Sequence, residues 1–516
     1  MNDLIKDTDD TRYVKIVIDE FTNRTRLGKI DWEIKQRVDG KYLIIYLAKP
    51  TDRFFKILND VLELTQVDNP YRDRATIKRR SASPKKRLEL AEVQYLRTIL
   101  SESLTVTRHS FEDDFFDRYI FSVFGAEEQI IASGNHIVYG RRGSGKSSLL
   151  AYLLNNLRLK RVPHAWVAMQ AYAGRRDNLV IVDVLLELIT QLYDQHQSSS
   201  ELSFLKNKLN ALCDMEENII LTHVDRLIPR IRRTLFPLTT IKDRIVIFLD
   251  DIHVIHKDLQ PVLLSKLYSI CRDNKVFLKI SGIEQFTNNW DSSSRQGMEI
   301  PHDAQVIRLD YNLTMPDKSR KHIQSILDAH AKYCGLPNIN YVCGDGVLSR
   351  LAWVAAGVPR DALNIFAQAI SRANMRELNK VSITNINAAA SEMAEDKLKD
   401  IQKDTTGQFD NAKLTLESIK KFCIDTQRKN AFLVEIRNDH PLFIDIQDLV
   451  ALRLLHVLHE GITPSDAGRR FMAFMLDYGF YIGIRAARSV DLFQKEPSSI
   501  QAKDIRALPI FKYPKS

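Results

Sequence analysis

The sequence predicts an α/β protein built around a mostly parallel, doubly wound sheet, and three observations carry that expectation. A glycine-rich run at 140–147 (GRRGSGKS) sits between a short apolar stretch and a strongly helix-forming one. Five apolar residues in a row at 245–249 (IVIFL) leave no solvent face, as in a buried parallel strand. Other short apolar runs alternate with amphipathic stretches, the pattern of successive strand–helix–strand units.

In chain order, 13–21 (YVKIVIDEF) and 41–48 (KYLIIYLA) read as strands, and 52–64 follows with helical spacing. They predict a small N-terminal α/β module over 1–70. Residues 71–87 (YRDRATIKRRSASPKKR) hold eight Lys or Arg against one Asp and read as a basic linker, with a helix at about 88–101 completing a segment 71–110. An aromatic-rich stretch from 113 and a short helix lead into a strand at 136–139. Strands at 164–170, 245–249, 276–280 and 305–309, with helices at 148–157, 178–192 and 218–235 between them, predict a core over 111–312. Residues 313–400 are expected to be helical. The last unit, 401–516, combines a strand-like AFLVEI, an apolar helix spanning DIQDLVALRLLHVLHEG, the loop ITPSDAG and a strand-like aromatic stretch RRFMAFMLDYGFYIGI.

Composition narrows the classes. With 516 residues, 44% of them hydrophobic, the chain can form three or four ordinary domains with proper cores. No stretch of 18 uncharged apolar residues occurs and the N-terminus lacks a secretory pattern, so a cytoplasmic protein with no membrane partner is expected. Cys213, Cys271, Cys334, Cys343 and Cys423 are scattered and form no C-x-x-C pair, which argues against a disulfide framework or a zinc ribbon. A net charge of +9 permits an anionic partner such as DNA without demanding one.

The chemistry starts at the glycine-rich run. Gly140, Gly143, Ser144, Gly145, Lys146 and Ser147, with Ser148 opening the next helix, complete the G-x-x-x-x-G-K-[ST] pattern. Glycines let successive backbone N–H groups turn inward on phosphates, and the following helix presents its positive end to the same anion. ATP, with Mg²⁺, is therefore the expected ligand. Lys146 would reach the β and γ phosphates and the Ser147 hydroxyl would ligate the metal. Asp250 and Asp251 end the 245–249 strand where a parallel strand exits onto the crevice. Asp250 is the expected magnesium partner, and Asp251 is placed to orient the attacking water. Ser281 ends the next strand and could sense that water. Gly357 and Pro359 open a helix followed at once by Arg360, a turn that would aim one cationic fork at a γ-phosphate.

Together, the phosphate loop, the Asp250-Asp251 strand end, Ser281 and the G-x-P-R turn resemble an AAA+ P-loop ATPase of the origin-recognition-like and STAND-like clade, over about 111–395. The resemblance implies a helical lid over 313–400 and a winged-helix-like domain over 401–516. Lys146 falls at the Walker lysine, Asp250 at the Walker B ligand, Ser281 at sensor 1 and Arg360 at sensor 2. Arg295 resembles an arginine finger donated to a neighbouring subunit, which implies self-association through the nucleotide sites. Asp251 replaces the usual Glu and Ser281 the usual Asn, and both departures put fast turnover in doubt.

Two readings of function follow from it. One is an ATP-hydrolysing, oligomerising machine acting on DNA or a DNA-associated protein, in loading, mobile-element or anti-phage defence. The other is a slow nucleotide-dependent switch that binds ATP or ADP and signals through a protein partner. Arg469, Arg470, Arg485 and Arg488 are the candidate DNA-phosphate contacts. HVLHE at 456–460 has metal-like spacing without the zincin order and is read as core or surface histidines on a helix. His253 and His256 give no reason for a second metal.

Overall fold

The computed structural model describes residues 9–80, 86–106, 115–123, 125–215, 217–242, 244–309, 313–403, 410–437, 439–463, 469–481, 490–493 and 497–512. Arg485 and Arg488 lie outside them.

The chain opens with α1 (Asp9–Thr25), β1 (Asp31–Arg37), β2 (Gly40–Leu47), α2 (Asp52–Leu64) and β3 (Ala75–Arg79). The strand expected at 13–21 is corrected to helix α1. Its β-branched residues suggested a strand, but Val14, Val17, Ile18 and Phe21 are the buried ones, and that is one face of a helix. β2 is the middle strand of a three-stranded sheet, antiparallel to β1 and parallel to β3. The stretch read as a basic linker thus contains a paired strand. It leads into α3 (Ala91–Glu102).

The core begins at α4 (Ala126–Ile131) and β4 (His136–Tyr139), followed by α5 (Lys146–Leu159), β5 (His164–Ala168), α6 (Leu179–Gln195), α7 (Ser200–Leu212) and α8 (Glu217–Lys242). Then come β6 (Ile245–Asp250), α9 (Leu259–Cys271), β7 (Val276–Gly282), a short hairpin of β8 (Trp290–Asp291) and β9 (Gln296–Gly297), and β10 (Gln305–Arg308). Five strands form one sheet in the order β10-β4-β7-β6-β5, every neighbouring pair parallel. Within β6, Ile245, Ile247 and Leu249 pack with α6 to α9, while Val246 and Phe248 pack against α5 on the other face. The unbroken apolar run is thus explained by a strand covered on both sides.

A helical lid of α10 (Pro316–Tyr333), α11 (Val347–Val354), α12 (Pro359–Met375) and α13 (Ile383–Lys403) follows. The C-terminal region holds α14 (Asp410–Lys420), β11 (Ala431–Glu435), α15 (Pro441–Ala451), β12 (Leu455–Ile462), β13 (Phe471–Leu476) and α16 (Ala502–Arg506). Here the long apolar helix is corrected: it ends at Ala451, and residues 455–462 run as β12, antiparallel to β13. Leu, His and Glu tolerate a helix, so local preference was overridden by strand pairing. The N-terminal module, lid and C-terminal region share one apolar core, separate from the two layers on the five-stranded sheet. Among the described residues no helix is long and apolar enough to cross a membrane.

Candidate nucleotide site

The phosphate loop turns between the end of β4 and the start of α5. Gly143 (φ 81°) and Gly145 (φ 96°) adopt left-handed backbone that a side chain would strain. A side chain at Gly143 would also strike Arg360, whose Cβ would lie 2.7 Å away. The Gly140 N–H donates to the Gly282 carbonyl at 3.4 Å, tying the loop to β7. Ser144 is buried and, among the described residues, its hydroxyl oxygen has no hydrogen-bond partner, as suits a group facing a ligand.

Lys146 is buried, and its amine donates to the carbonyls of Gly140 (3.1 Å) and Arg141 (3.3 Å) while lying 3.9 Å from Asp251. Burial pulls its pKa down, and Asp251 and Asp250 oppose that shift. Ser147 Oγ donates to Asp250 Oδ1 at 3.1 Å, so the two expected metal partners meet at one point. Ser281 Oγ donates to the same Asp250 oxygen at 2.6 Å and accepts the Asp251 N–H at 2.8 Å. Its hydroxyl is thus committed to seating both acids. Burial, then the neighbouring Asp251, pushes Asp250 up to about 6, against the hydrogen bonds from Ser281 and Ser147. Asp251 itself has a left-handed backbone, φ 59°, which turns its carboxylate out of the strand toward the crevice.

Pro359 occupies the first turn of α12, and the Arg360 N–H donates to the Gly143 carbonyl at 3.3 Å, bringing the lid onto the loop. Gly143, Gly145, Lys146, Ser147, Ser148, Asp250, Asp251 and Arg360 all line one cleft of about 940 Å³. An adjoining recess of about 110 Å³, lined by Leu149, Leu309, Ile326 and Leu363 among others, is mainly apolar, which suits a flat heterocycle. Arg295 is elsewhere: it is exposed at the tip of the β8–β9 hairpin. Sequence reasoning missed Arg142 and Glu187, which also line the cleft, as does His253, which it had weighed only as a metal ligand. The position of His253 just after the acid pair was visible in the sequence but was read only for metal binding; Glu187, on α6, gave no local signal. Burial pushes His253 down to about 4.

A strand–loop–helix phosphate cradle at the C-terminal ends of a parallel sheet, with a pair of acids at the end of β6, one strand removed from β4, defines a P-loop nucleotide-binding protein. The particular kind is given by residues 128–276, which match the AAA ATPase domain family, so the chain carries an AAA ATPase domain. That match contains the phosphate loop, Asp250 and Asp251, while Ser281, Arg295 and Arg360 lie beyond it. No curated protein matches the chain. Among solved structures it is similar to the ORC1 protein of Aeropyrum pernix in complex with DNA, at 16% identity over 72% of this chain and 93% of that one, TM-score 0.39. It is also similar to a Walker-type ATPase of Pyrococcus abyssi (12% identity, 72% and 96% covered, TM-score 0.43) and to Drosophila ORC bound to DNA (14%, 79% and 95%, TM-score 0.35).

Proposed function

We propose that this chain binds ATP with Mg²⁺ and hydrolyses it slowly. The observation that carries the reading is the convergence of Lys146, Ser147, Asp250, Asp251 and Arg360 on one cleft. Hard oxygen donors from Ser147 and Asp250 meet there, and among the described residues no cluster of three or more His, Cys, Asp or Glu could hold a metal alone. That donor set fits magnesium, which keeps much of its shell as water and phosphate oxygen. Bound with the nucleotide, the ion would neutralise charge on the β and γ phosphates. Lys146 and Arg360 supply fixed positive charge to the same phosphates, Asp251 orients and deprotonates the attacking water, and Ser281 acts through the two carboxylates as a positioning residue. Slow turnover follows from the shorter Asp251 in place of a glutamate.

The five-unit division (1–70, 71–110, 111–312, 313–400, 401–516) belongs to the same proposal. The site is completed in trans by Arg295, whose exposure on the hairpin leaves it free to reach a second copy. The partner is DNA or a DNA-associated protein. The net charge of +9 and the exposed Arg469 and Arg470 beside the β11-β13-β12 sheet support that choice, since a winged helix has a sheet of this order. The experiment is ATP hydrolysis by the full chain, with and without duplex DNA, in parent and Arg295→Ala. Expected are a rate raised by DNA and a salt-sensitive DNA affinity, with turnover but not ATP binding reduced in Arg295→Ala. A rate indifferent to DNA, with one oligomeric state for ATP and another for ADP, would favour the protein-signalling switch instead.

A further inference from the structure

The phosphate loop is held from an unexpected place. Arg141, its second residue, has one guanidinium nitrogen 3.2 Å from His456 Nδ1 in β12 and donates with the other to the Ala356 carbonyl, also at 3.2 Å. On the far side of the ring, His456 Nε2 lies 3.1 Å from Asp477 Oδ2. A guanidinium only donates and a carboxylate only accepts. The imidazole therefore satisfies both neighbours in a single form, neutral, with Nδ1 accepting and Nε2–H donating. Burial pushes His456 down to about 4, against the pull of Asp477, which agrees with that form.

From there the contacts continue through charge. Lys397 of α13 donates to Asp477 at 3.0 Å and lies 3.3 Å from Asp361 Oδ2, whose other oxygen accepts from Arg453. Asp361 directly follows Arg360. Burial disfavours charge on Asp477 and Asp361, yet Lys397, with His456 at the first and Arg453 at the second, outweighs it and holds both below the usual carboxylate range. His456, Asp477, Asp361 and Lys397 are all at least nine-tenths buried. The relay thus leaves the phosphate loop at Arg141, crosses the C-terminal sheet and the lid, and returns beside Arg360, which lines the cleft.

We propose that His456 is a positioning residue of the nucleotide site, supplied by the C-terminal region: it holds Arg141, and so couples nucleotide occupancy to the seating of that region on the lid. The inference rests on the nucleotide reading of the cleft. The Arg141 carbonyl is one of the two that hold the Lys146 amine, so a triphosphate that draws Lys146 away alters the loop at the residue His456 grips. Coupling of this kind is reciprocal. A partner that unseats the C-terminal region loosens the nucleotide by the same factor.

The test compares parent, Arg141→Met, His456→Ala and the double variant, reading release of a fluorescent ADP analogue and the protection that ADP gives β12 and β13 amides in hydrogen exchange. Each single variant is expected to release the analogue roughly tenfold faster, and the double variant no faster than either. ADP should no longer change exchange in β12 and β13. Arg141→Met alters only the loop end, so it carries the test if His456→Ala does not fold. Release within about twofold of parent in the folded variants, or effects that simply add, overturns the relay. Lys146→Ala separates the two claims: nucleotide binding lost there while the relay variants behave as parent leaves the cleft reading standing and the relay refuted. Nucleotide binding retained in Lys146→Ala removes the basis of both.

Discussion

Lys146 and Asp250 of the nucleotide cleft and Asp361, Asp477 and Lys397 of the relay are similarly buried but differ in what satisfies them. In the relay each carboxylate has several strong partners: Asp361 has Lys397 and Arg453, while Asp477 has Lys397, His456 and the Gly479 N–H at 2.8 Å. In the cleft, Lys146 rests on two neutral carbonyls with its nearest acid 3.9 Å away, and Asp250 is pushed up to about 6. The two carboxylates that tie the lid to the C-terminal region are satisfied by neighbouring groups. Lys146 and Asp250 are only partly satisfied by the protein, which on the proposed function leaves room for a ligand.

The sharpest way to break this contrast is to remove one charge from each region. Lys397→Met leaves Asp361 and Asp477 buried with a shared partner gone, and should cost about 3–5 kcal/mol of stability in urea unfolding. Lys146→Ala should shift the same transition by less than about 1 kcal/mol, while ATP affinity falls roughly a hundredfold or more in an equilibrium titration. Equal stability losses in the two variants would erase the distinction. Ser281→Ala probes the boundary: it strips one hydrogen bond from Asp250 and leaves the Asp251 N–H short of its acceptor. A loss of about 1–2 kcal/mol is expected, with kcat reduced and the KM for ATP nearly unchanged. A KM effect alone would mean that Ser281 touches the nucleotide directly.

A third buried cation gives a pH signature. Lys279 of β7 donates to the Ala132 carbonyl at 2.8 Å and lies 2.8 Å from His136, and burial pulls it down to about 7 from 10.5. Between those values the unfolded chain carries more of that proton than the folded one. Stability should therefore rise with pH from about 7 to 10.5 and be indifferent to this group below 7. Lys279→Met should flatten that part of the stability profile in urea titrations. A slope unchanged by the substitution would show that other groups set it.

Legibility tracked distance along the chain. The phosphate loop and the Asp250-Asp251 strand end are local patterns, and the unbroken apolar run of β6 announced a strand covered on both faces. The placement of Arg360 against the phosphate loop was readable because proline and glycine mark the turn before it. α1 was misread because Val and Ile favour strands locally, while tertiary packing used their helical face. β12 was misread for the opposite reason, its helix-tolerant residues being held straight by β13. The relay was out of reach: Arg141, Asp361, Lys397, Arg453, His456 and Asp477 come from three regions, and only folding makes them neighbours. The histidine of HVLHE could be declined as a metal ligand, but its grip on the loop had no sequence signal.

The most direct test of the cleft as an ATP-cleaving site is single-turnover hydrolysis with Mg²⁺ by the full chain and by Asp251→Asn, alongside ATP binding. The expected result is cleavage by the parent and at least about a hundredfold slower cleavage by Asp251→Asn, with ATP affinity retained. Parental cleavage rates in Asp251→Asn, or no ATP binding by the parent, would contradict the account.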